Sequence, residues 1–448
     1  MATATSATSW DDIVSEATYL SFFGRAEYNY SNKYYADFSV RRDGSSKFGK
    51  DARWANFWSV GAMWNLKSED FLKDIDWLTN LQLIASIGTS GNSSIPNYDH
   101  TALFAAGPQY SGKTGIAPYS RGNENLTWEK LMTTNIGVKI GLFDRLNLNV
   151  EFYNKKTTDM LMEVPVTFGN GFNTKWDNIG AMINRGVEFD VDADIIRTKD
   201  FTWNVSANAS YNHNEITELY NGLDEYEIST TGLLLKVGHS YGEFHAVRYA
   251  GVNPANGDAL WYTKDGELTN RFSNEDRVLL GKSYVAPWQG GFGTTFSYKG
   301  IQLSALFSWV ADRWMMNNDR FFDESNGTYA VYNQSAKLLN RWQKPGDITE
   351  IPRDGVQTQL DSHLVEDASF MRLKNLSLSY TFPQSLLKKT KVIERAKVFG
   401  QAQNLLTFTK FTGLDPESNL NMYRASYPLS RQFSFGIDCL LYTSDAAD

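Results

Sequence analysis

The sequence predicts an all-β chain that folds as an antiparallel, up-and-down transmembrane β-barrel. Three features support this prediction. Segments of about ten residues alternate apolar with polar side chains, the links between them alternate in length, and no stretch approaches the ~18–20 consecutive apolar residues of a membrane-spanning helix. A barrel strand is apolar only at every second position, so a mean hydropathy of −0.40 does not exclude a membrane protein.

The alternation defines the predicted strands one by one. In residues 146–153, Leu, Val and Phe alternate with Asn, Glu and Tyr, and residues 201–212 show the same period with Thr, Asn and Ser at the polar positions. Each strand therefore has one face for lipid and one for water. The predicted strands span residues 19–30, 34–43, 57–66, 80–90, 127–142, 146–161, 179–197, 201–219, 288–298, 301–311, 369–382, 396–408 and 430–438.

The links between these strands predict which end of the barrel faces outward. Short links fall at 31–33, 144–145, 198–200 and 299–300, with two of about a dozen residues at 67–79 and 383–395. Long links fall at 43–56, 91–126, 163–178, 220–287, 312–368 and 409–429. In an up-and-down sheet all short links share one end, as the periplasmic turns of outer-membrane barrels do. Residues 1–18 then belong to an extracellular loop, and the last strand runs toward the periplasm.

A soluble all-β protein, either a propeller or a set of sandwiches, is the alternative interpretation of this pattern. No repeat of ~40–50 residues is visible, although a propeller requires one. The polar strand faces hold consecutive Asn, Asp, Gln and Glu residues, which suit a wet lumen better than a dry core. The pattern therefore favours the barrel.

Composition excludes two further classes of protein. The chain has 43 Lys and Arg against 51 Asp and Glu, a formal charge of −8 and a pI of about 5.3, which argues against nucleic acid as a partner. It has one cysteine, so an internal disulfide framework is excluded.

No motif for catalysis, cofactor binding or metal binding stands out. Asp190, Asp192 and Asp194 resemble a calcium loop only superficially, because Ile195 replaces the required glycine, and we expect a solvated row in the lumen. The five histidines form no short ligand pair. Three glycines that open the predicted strand 288–298 are expected to give it a bend or bulge: Gly290, Gly291 and Gly293.

Aromatic residues divide into two predicted groups. Those near strand ends are expected to form girdles at the two membrane interfaces: Trp54, Trp58, Trp64, Trp128, Trp203, Trp288, Trp309, Tyr153, Tyr211, Tyr298 and Tyr380. Those in the long links are candidates for stacking on sugar rings or peptide side chains, with packing among the loops or against a lid protein as the alternative: Tyr98, Tyr110, Phe172, Trp176, Trp314, Phe321, Phe322 and Tyr329.

Several segments, taken together and in order, resemble the SusC/RagA family of TonB-linked outer-membrane transporters of Bacteroidetes. The segments are RRDGSSKFG (41–49), LQLIASIGTSGNSSIPNY (81–98), NENLTWEKLMTTNIGVKIGLFDRLNLNVEFYNKKTTDMLM (123–162), NIGAMINRGVEF (178–189), GGFGTTFSYKGIQLSALFSW (290–309), EDASFMRLKNLSLSYTFP (366–383) and QNLLTFTKFTGLDPE (403–417). The resemblance covers most of residues 19–438.

The resemblance implies a plugged barrel of ~22 strands, of which this chain holds about 13. We therefore expect residues 19–438 to be a partial barrel from the carboxy-terminal portion of a longer protein. The signal peptide, a carboxypeptidase-like amino-terminal domain, the TonB-contacting segment and the plug are expected to lie outside it. The last ten residues, CLLYTSDAAD (439–448), depart from a barrel strand and can be encoded by codons that resemble a sequencing-library adapter. We expect them, including Cys439, to be non-native.

The resemblance also implies a function. The chain is expected to belong to a non-enzymatic, TonB-dependent importer of oligosaccharides or peptides in the outer membrane, embedded in outer-membrane lipid. Its implied partners are a SusD-like surface lipoprotein, the TonB–ExbB–ExbD complex acting through the missing plug, and a glycan or peptide ligand. Two alternatives stay open: a soluble or secreted all-β glycan-binding module or hydrolase, and an outer-membrane adhesin without a transport role.

Overall fold

Thirteen strands form one antiparallel sheet in which each strand pairs with the next in chain order. The computed structural model describes residues 14–441, apart from 167, 168, 170, 173, 229–232, 330, 419 and 425. The thirteen strands, called the wall below, are β1 Tyr19–Tyr30, β2 Tyr34–Ser45, β3 Trp54–Asn65, β4 Leu78–Asn92, β5 Glu129–Leu142, β6 Leu146–Thr158, β7 Ala181–Arg197, β8 Phe201–Glu218, β9 Trp288–Tyr298, β10 Ile301–Ala311, β11 Phe370–Thr381, β12 Ile393–Thr409 and β13 Gln432–Leu441.

The predicted antiparallel strands are confirmed in number and order, with bounds that differ by a few residues. The largest change at the carboxy-terminal end concerns β13, which does not stop at residue 438. Its pairing with β12 continues through Cys439 opposite Ala396 and Leu441 opposite Ile393. The expectation that Cys439 no longer fits a strand is therefore wrong, since backbone hydrogen bonds do not require apolar alternation. Residues 442–448 lie outside the described residues.

Tight turns define one end of the wall. The β1–β2 turn places Ser31 and Asn32 at φ values of 54° and 56°, and the β9–β10 turn places Lys299 and Gly300 at 45° and 90°. The β9–β10 turn has two residues, and positive φ at both is the geometry of such hairpins, because its twist matches that of the strands. The β1–β2 turn has three residues, 31–33. All the long links leave from the opposite end, as the link lengths predicted.

The wall separates an apolar face from a polar face. Val150, Phe189 and Ala209 are direct neighbours on β6, β7 and β8, and the polar residues Asn149, Asp190 and Asn208 are neighbours one position away. The apolar face is open: Phe189 is 41% exposed and Phe435 is 84% exposed. The apolar rows thus do not pack in a dry interior, which is the arrangement that a soluble sandwich requires.

The buried hydrophobic clusters lie mainly in the long links and at the outer strand ends. One contains Phe48, Phe57, Ile95, Leu126 and Trp128, and another contains Phe244, Met316, Leu364 and Val365. The sequence prediction gave these links no elements of their own. The structure places strands in them at Leu103–Tyr110, Lys113–Ser120, Leu161–Pro165, Thr174–Asn178, Glu225–Ile228, Leu233–Lys236, Glu243–Val252, Ala259–Tyr262, Leu268–Thr269, Arg277–Ser283, Trp314–Asn317, Val365–Asp367 and Met422–Tyr423.

Helices are short. The α-helices span Asn318–Asp323 and Gln384–Leu387, and 3₁₀ turns span Leu66–Ser68, Tyr220–Gly222, Asn274–Asp276, Ala336–Asn340, Ser362–Leu364 and Lys388–Thr390. Within the described ranges, none of the helices has the length and apolar character needed to cross a membrane.

The structure places some of the predicted girdle residues at strand ends on the apolar face, and the prediction is wrong for two others. Tyr34 and Trp64 stack at the end with the tight turns, and Tyr211 contacts Trp288 on the apolar face near the loop end. Trp128, however, is 5% exposed and packs in the loop cluster with Phe48 and Phe57. Tyr153 lies on the polar face, because it shares the two-residue period of Asn149 and Glu151 on β6, and its direct neighbour on β7 is Gly186. Proximity to a strand end does not identify the face on which a ring lies.

The predicted bend or bulge at Gly290, Gly291 and Gly293 is also wrong. The pairing of β9 with β8 and β10 is regular through all three glycines. A Cβ at Gly290 would lie 2.7 Å from the Trp309 ring, and one at Gly293 would lie 2.8 Å from the Ser206 hydroxyl. Glycine at these positions therefore leaves room for the side chains of Trp309 and Ser206 on the neighbouring strands.

Candidate functional site

A groove of about 910 Å³ lies between the polar face of the wall and the long links. Strands β6 to β10 form one side, through polar positions that extend from the middle of the strands to the end where the long links begin. The other side comes from residues far apart in sequence that the links bring back over the wall. The principal polar and charged residues that line the groove are Tyr153, Lys155, Asn184, Glu188, Asp190, Asn208, Ser210, Asn212, Tyr284, Gln289, Ser308, Arg313 and Glu417.

Side-chain hydrogen bonds hold the wall side of the groove in place. Tyr153 donates its hydroxyl to Asn212 Oδ1 at 2.8 Å, and Asn212 Nδ2 donates to Asn184 Oδ1 at 3.1 Å. The Tyr153 ring lies against Gly186, where a Cβ would come within 2.7 Å of the hydroxyl oxygen. This arrangement requires glycine on β7 and fixes the ring on the polar face.

The aspartate row on β7 is bonded to amides. Asn149 Nδ2 donates to Asp190 at 3.3 Å, and Asn204 Nδ2 donates to Asp192 at 3.3 Å and to Asp194 at 3.2 Å. Among the described residues, no three His, Cys, Asp or Glu side chains lie together in a way that could hold a metal ion. The row supplies negative charge and hydrogen-bond acceptors on the polar face.

An ion-pair cluster fastens the link between β12 and β13 to the wall. Arg372 of β11 is buried and contacts Asp415 at 2.5 Å and Glu417 at 3.1 Å. Lys374 contacts the same Glu417 at 2.5 Å. Lys374 is the extra residue of a β-bulge against β10, between Leu373 and Asn375.

The hydrogen bonds around Asp415 favour its charged form. Burial by itself raises the pKa of this carboxyl group, because a desolvated charge is unfavourable. Hydrogen bonds from Arg372 and from the amides of Leu429 and Glu417 outweigh burial, so the pKa of Asp415 lies below its ordinary value. The part of the link around Asp415 and Glu417 is thus held against the wall by a charged contact at neutral pH.

Charges of both signs face the groove. Lys155 and Arg313 contribute positive charge, and Glu188, Asp190 and Glu417 contribute negative charge. The Lys155 ammonium lies 4.5 Å from the centroid of the Tyr153 ring, within cation–π range. A ligand in this groove would contact hydrogen-bond donors, hydrogen-bond acceptors and charges of both signs.

Three of the eight predicted contact residues form one cluster away from this groove. The rings of Phe321, Phe322 and Tyr329 lie 5.1–5.6 Å apart between centroids, and Tyr332 joins them at 5.2 Å from Phe322. Phe321 also packs against the buried cluster that contains Phe244. The cluster is therefore anchored on one side and open on the other, where Tyr332 is 51% exposed.

The other five predicted residues are dispersed. Trp176 packs against the loop cluster that contains Trp128, and the Trp314 ring lies 3.9 Å from the Lys282 ammonium. Tyr98 accepts a hydrogen bond from the Glu16 amide at 3.1 Å, and Phe172 is half-buried. Tyr110 ends a loop strand, and its side chain lies outside the described residues. None of the seven whose side chains are described lines the groove. Ligand contact by all eight residues stays a prediction.

The predicted contact residues are aromatic rings in the links, whereas the groove is lined mainly by polar residues of the wall. The alternation of polar residues along the strands could have identified Lys155, Asn184 and Asn212, because they occupy lumen positions close to the long links. Arg313 and Glu417 carried no local signal, because they meet the wall only after the links fold back.

Comparison with known proteins identifies the fold. The family description "TonB dependent receptor-like, beta-barrel" matches residues 2–405. The chain is 31% identical over 464 residues to TonB-dependent receptor P3 of Formosa agariphila, covering 95% of the chain and 46% of that protein. It is also 31% identical over 443 residues to TonB-dependent receptor SusC of Bacteroides thetaiotaomicron, covering 94% of the chain and 43% of SusC.

A solved structure agrees in fold and sequence. The RagAB peptide transporter superposes with a TM-score of 0.88 at 39% identity, covering 94% of this chain and 48% of that chain. The chain thus spans about half the length of the relatives that it matches. On this combination of wall topology, polar lumen face and matched relatives, the chain belongs to the TonB-dependent receptor-like β-barrel family of the outer membrane, and it is of the SusC/RagA type.

Proposed function

We propose that this chain is part of an outer-membrane importer that binds oligomeric nutrients in the groove and passes them inward along the polar wall. The observation that supports the proposal best is the groove at the loop end of the wall, since a ligand bound there faces polar side chains along its path. The mechanism requires binding and gated release rather than bond making, because the groove residues form no nucleophile–base pair. Energy from the TonB–ExbB–ExbD complex, acting through a plug, would release the ligand.

We infer that peptides are the leading substrate class. RagAB, at 39% identity, is described as a peptide transporter. In this chain the groove offers amide side chains and charges of both signs, which match the backbone amides and the two charged termini of a peptide. Oligosaccharides are the second candidate, favoured by the half-exposed cluster of Phe322, Tyr329 and Tyr332, because flat rings stack on sugars.

A SusD-like lipoprotein is the proposed partner at the loop end. Exposed apolar residues on the links support a covering protein, including Val331 at 89% and Ile348 at 94% exposed. An adhesin without a transport role would not need such a lid together with a lined groove.

The test is uptake in the native bacterium. We expect deletion of the full-length gene, or of an adjacent lipoprotein gene, to abolish growth on a defined peptide mixture as nitrogen and carbon source. An uncoupler should stop uptake of a fluorescent peptide while its surface binding persists. If the deletion strain grew normally on peptides but not on an oligosaccharide, the substrate class would be oligosaccharides. If its uptake of both were unchanged, the adhesin alternative would be favoured.

A further inference from the structure

One buried cation at the loop end of the groove lacks a carboxylate partner. Arg313 follows β10 by two positions and is 8% exposed. Within the described part of the chain, its side chain makes one hydrogen bond, from Nη1 to the Pro416 carbonyl oxygen at 3.3 Å, and no ion pair. It lines the groove beside Glu417.

The neighbouring charges do not neutralise it. Arg313, Arg372 and Lys374 share two carboxylates, Asp415 and Glu417, and these are in direct contact with Arg372 and Lys374. Glu417 acts on Arg313 as an opposite charge, without a direct ion pair between the two among the described residues. Of the three cations in this cluster, Arg313 is the one that lines the groove.

A buried arginine in this position is suited to bind an anion. Guanidinium has five N–H donors in a planar fork that matches a carboxylate with two parallel hydrogen bonds. Burial lowers the pKa of Arg313, but arginine stays protonated at any physiological pH. One backbone acceptor uses only a small part of its capacity.

We propose that Arg313 binds a carboxylate of the cargo at the loop end of the groove, and that this carboxylate is the free carboxyl terminus of a peptide. The proposal rests on the import function proposed above. The peptide source is favoured because Glu188, also in the groove, forms no ion pair among the described residues and can receive an ammonium group. A uronate of an acidic oligosaccharide has the same chemistry and is distinguished by experiment.

The experiment uses the full-length transporter in detergent and two decapeptides of one sequence, one with a free carboxyl terminus and one with a terminal amide. We expect the wild type to bind the free acid at least about tenfold more tightly than the amide, the effect of one charge-assisted hydrogen-bonded pair. Arg313→Gln should lose this preference while its affinity for the amide stays within about twofold. Arg313→Lys should keep part of the preference.

Arg248→Gln is the matched control. Arg248 also donates to one backbone carbonyl, that of Thr263 at 2.9 Å, but lies outside the groove. The Arg248→Gln variant should therefore keep the wild-type preference for the free acid. Equal binding of acid and amide by the wild type, or an equal loss of both in Arg313→Gln, would overturn the proposal.

Failure of the peptide function gives a different result. If the wild type bound neither peptide, the peptide assignment would be wrong, and the Arg313 proposal would be tested with oligogalacturonate against its methyl ester. A preference for the acid that Arg313→Gln removes would support carboxylate binding from the glycan source. Equal binding of acid and ester, or of neither, would overturn it.

Discussion

At the scale of single residues, Arg372 controls how the link 410–431 lies over the groove. It is 3% exposed and contacts two carboxylates that come from 43 and 45 positions further along the chain. Its loss would leave Asp415 buried without its main partner. Removing one member of a buried pair costs more than the pair contributes as a whole, because the remaining charge is desolvated and uncompensated.

We therefore predict that Arg372→Gln lowers the free energy of local opening of this link by about 3 kcal/mol or more. Hydrogen exchange of residues 410–431 in the full-length protein measures it. Arg25 forms an exposed ion pair with Glu27, so the control variant Arg25→Gln should change the free energy of opening by no more than ~0.5 kcal/mol. Unchanged exchange in Arg372→Gln would show that the link is held by other contacts.

The same contact predicts a pH dependence. Because the pKa of Asp415 is lower in the folded chain than in the unfolded chain, its contribution to stability is fully present above the unfolded value of ~3.9. The contribution is lost as the pH falls through the folded pKa. Opening of the link should thus increase below pH ~4 in the wild type and not in Asp415→Asn.

At the scale of the strand, the two faces of β6 and its neighbours have opposite requirements. Ile136 and Phe152 are direct neighbours on the apolar face and are about 60% exposed, whereas Asn149 lies on the polar face and bonds to Asp190. A charge on the lipid face meets hydrocarbon, while a charge on the lumen face meets water and acids.

We predict that Ile136→Arg destabilises the full-length barrel by ~2–4 kcal/mol, the cost of arginine near the middle of the bilayer. Asn149→Arg is the control and should be tolerated, since its cation can pair with Asp190. Unfolding by denaturant in lipid vesicles measures both. Equal effects of the two substitutions would contradict the assignment of faces.

At the scale of the whole molecule, the wall has two open edges. Within the residues that the structure describes, β1 pairs only with β2 and β13 pairs only with β12. All twelve residues of β1 are exposed. Backbone groups at an open edge have no hydrogen-bond partner in lipid, and each such group costs several kcal/mol.

The 448-residue chain expressed alone is therefore expected not to fold. It should be digested by protease in membranes and should migrate equally on gels before and after heating. The full-length protein should resist protease and migrate faster before heating. Recovery of the chain alone as a compact, protease-resistant species would contradict the expectation.

The sequence by itself determined the wall of this protein. Alternation of period two and the lengths of the links are local properties, so they predicted thirteen strands, their order, and the end at which the loops gather. They also placed rings such as Trp64 and Trp288 near strand ends, where a girdle at the membrane interface is expected. Alternation placed Tyr153 with Asn149 on the polar face, which contradicts its assignment to the girdle. Local patterns did not fix the burial of Trp128, because it depends on which residues the loops bring against this ring.

Only the tertiary structure decided the site. Arg313 and Pro416 are 103 positions apart, and Arg372 meets Asp415 and Glu417 only after the last long link folds back onto the wall. Contacts of this kind depend on the packing of several links at once, and no period or spacing in the chain encodes them. The barrel wall is therefore readable from the order of residues, whereas the groove exists only where distant links meet it.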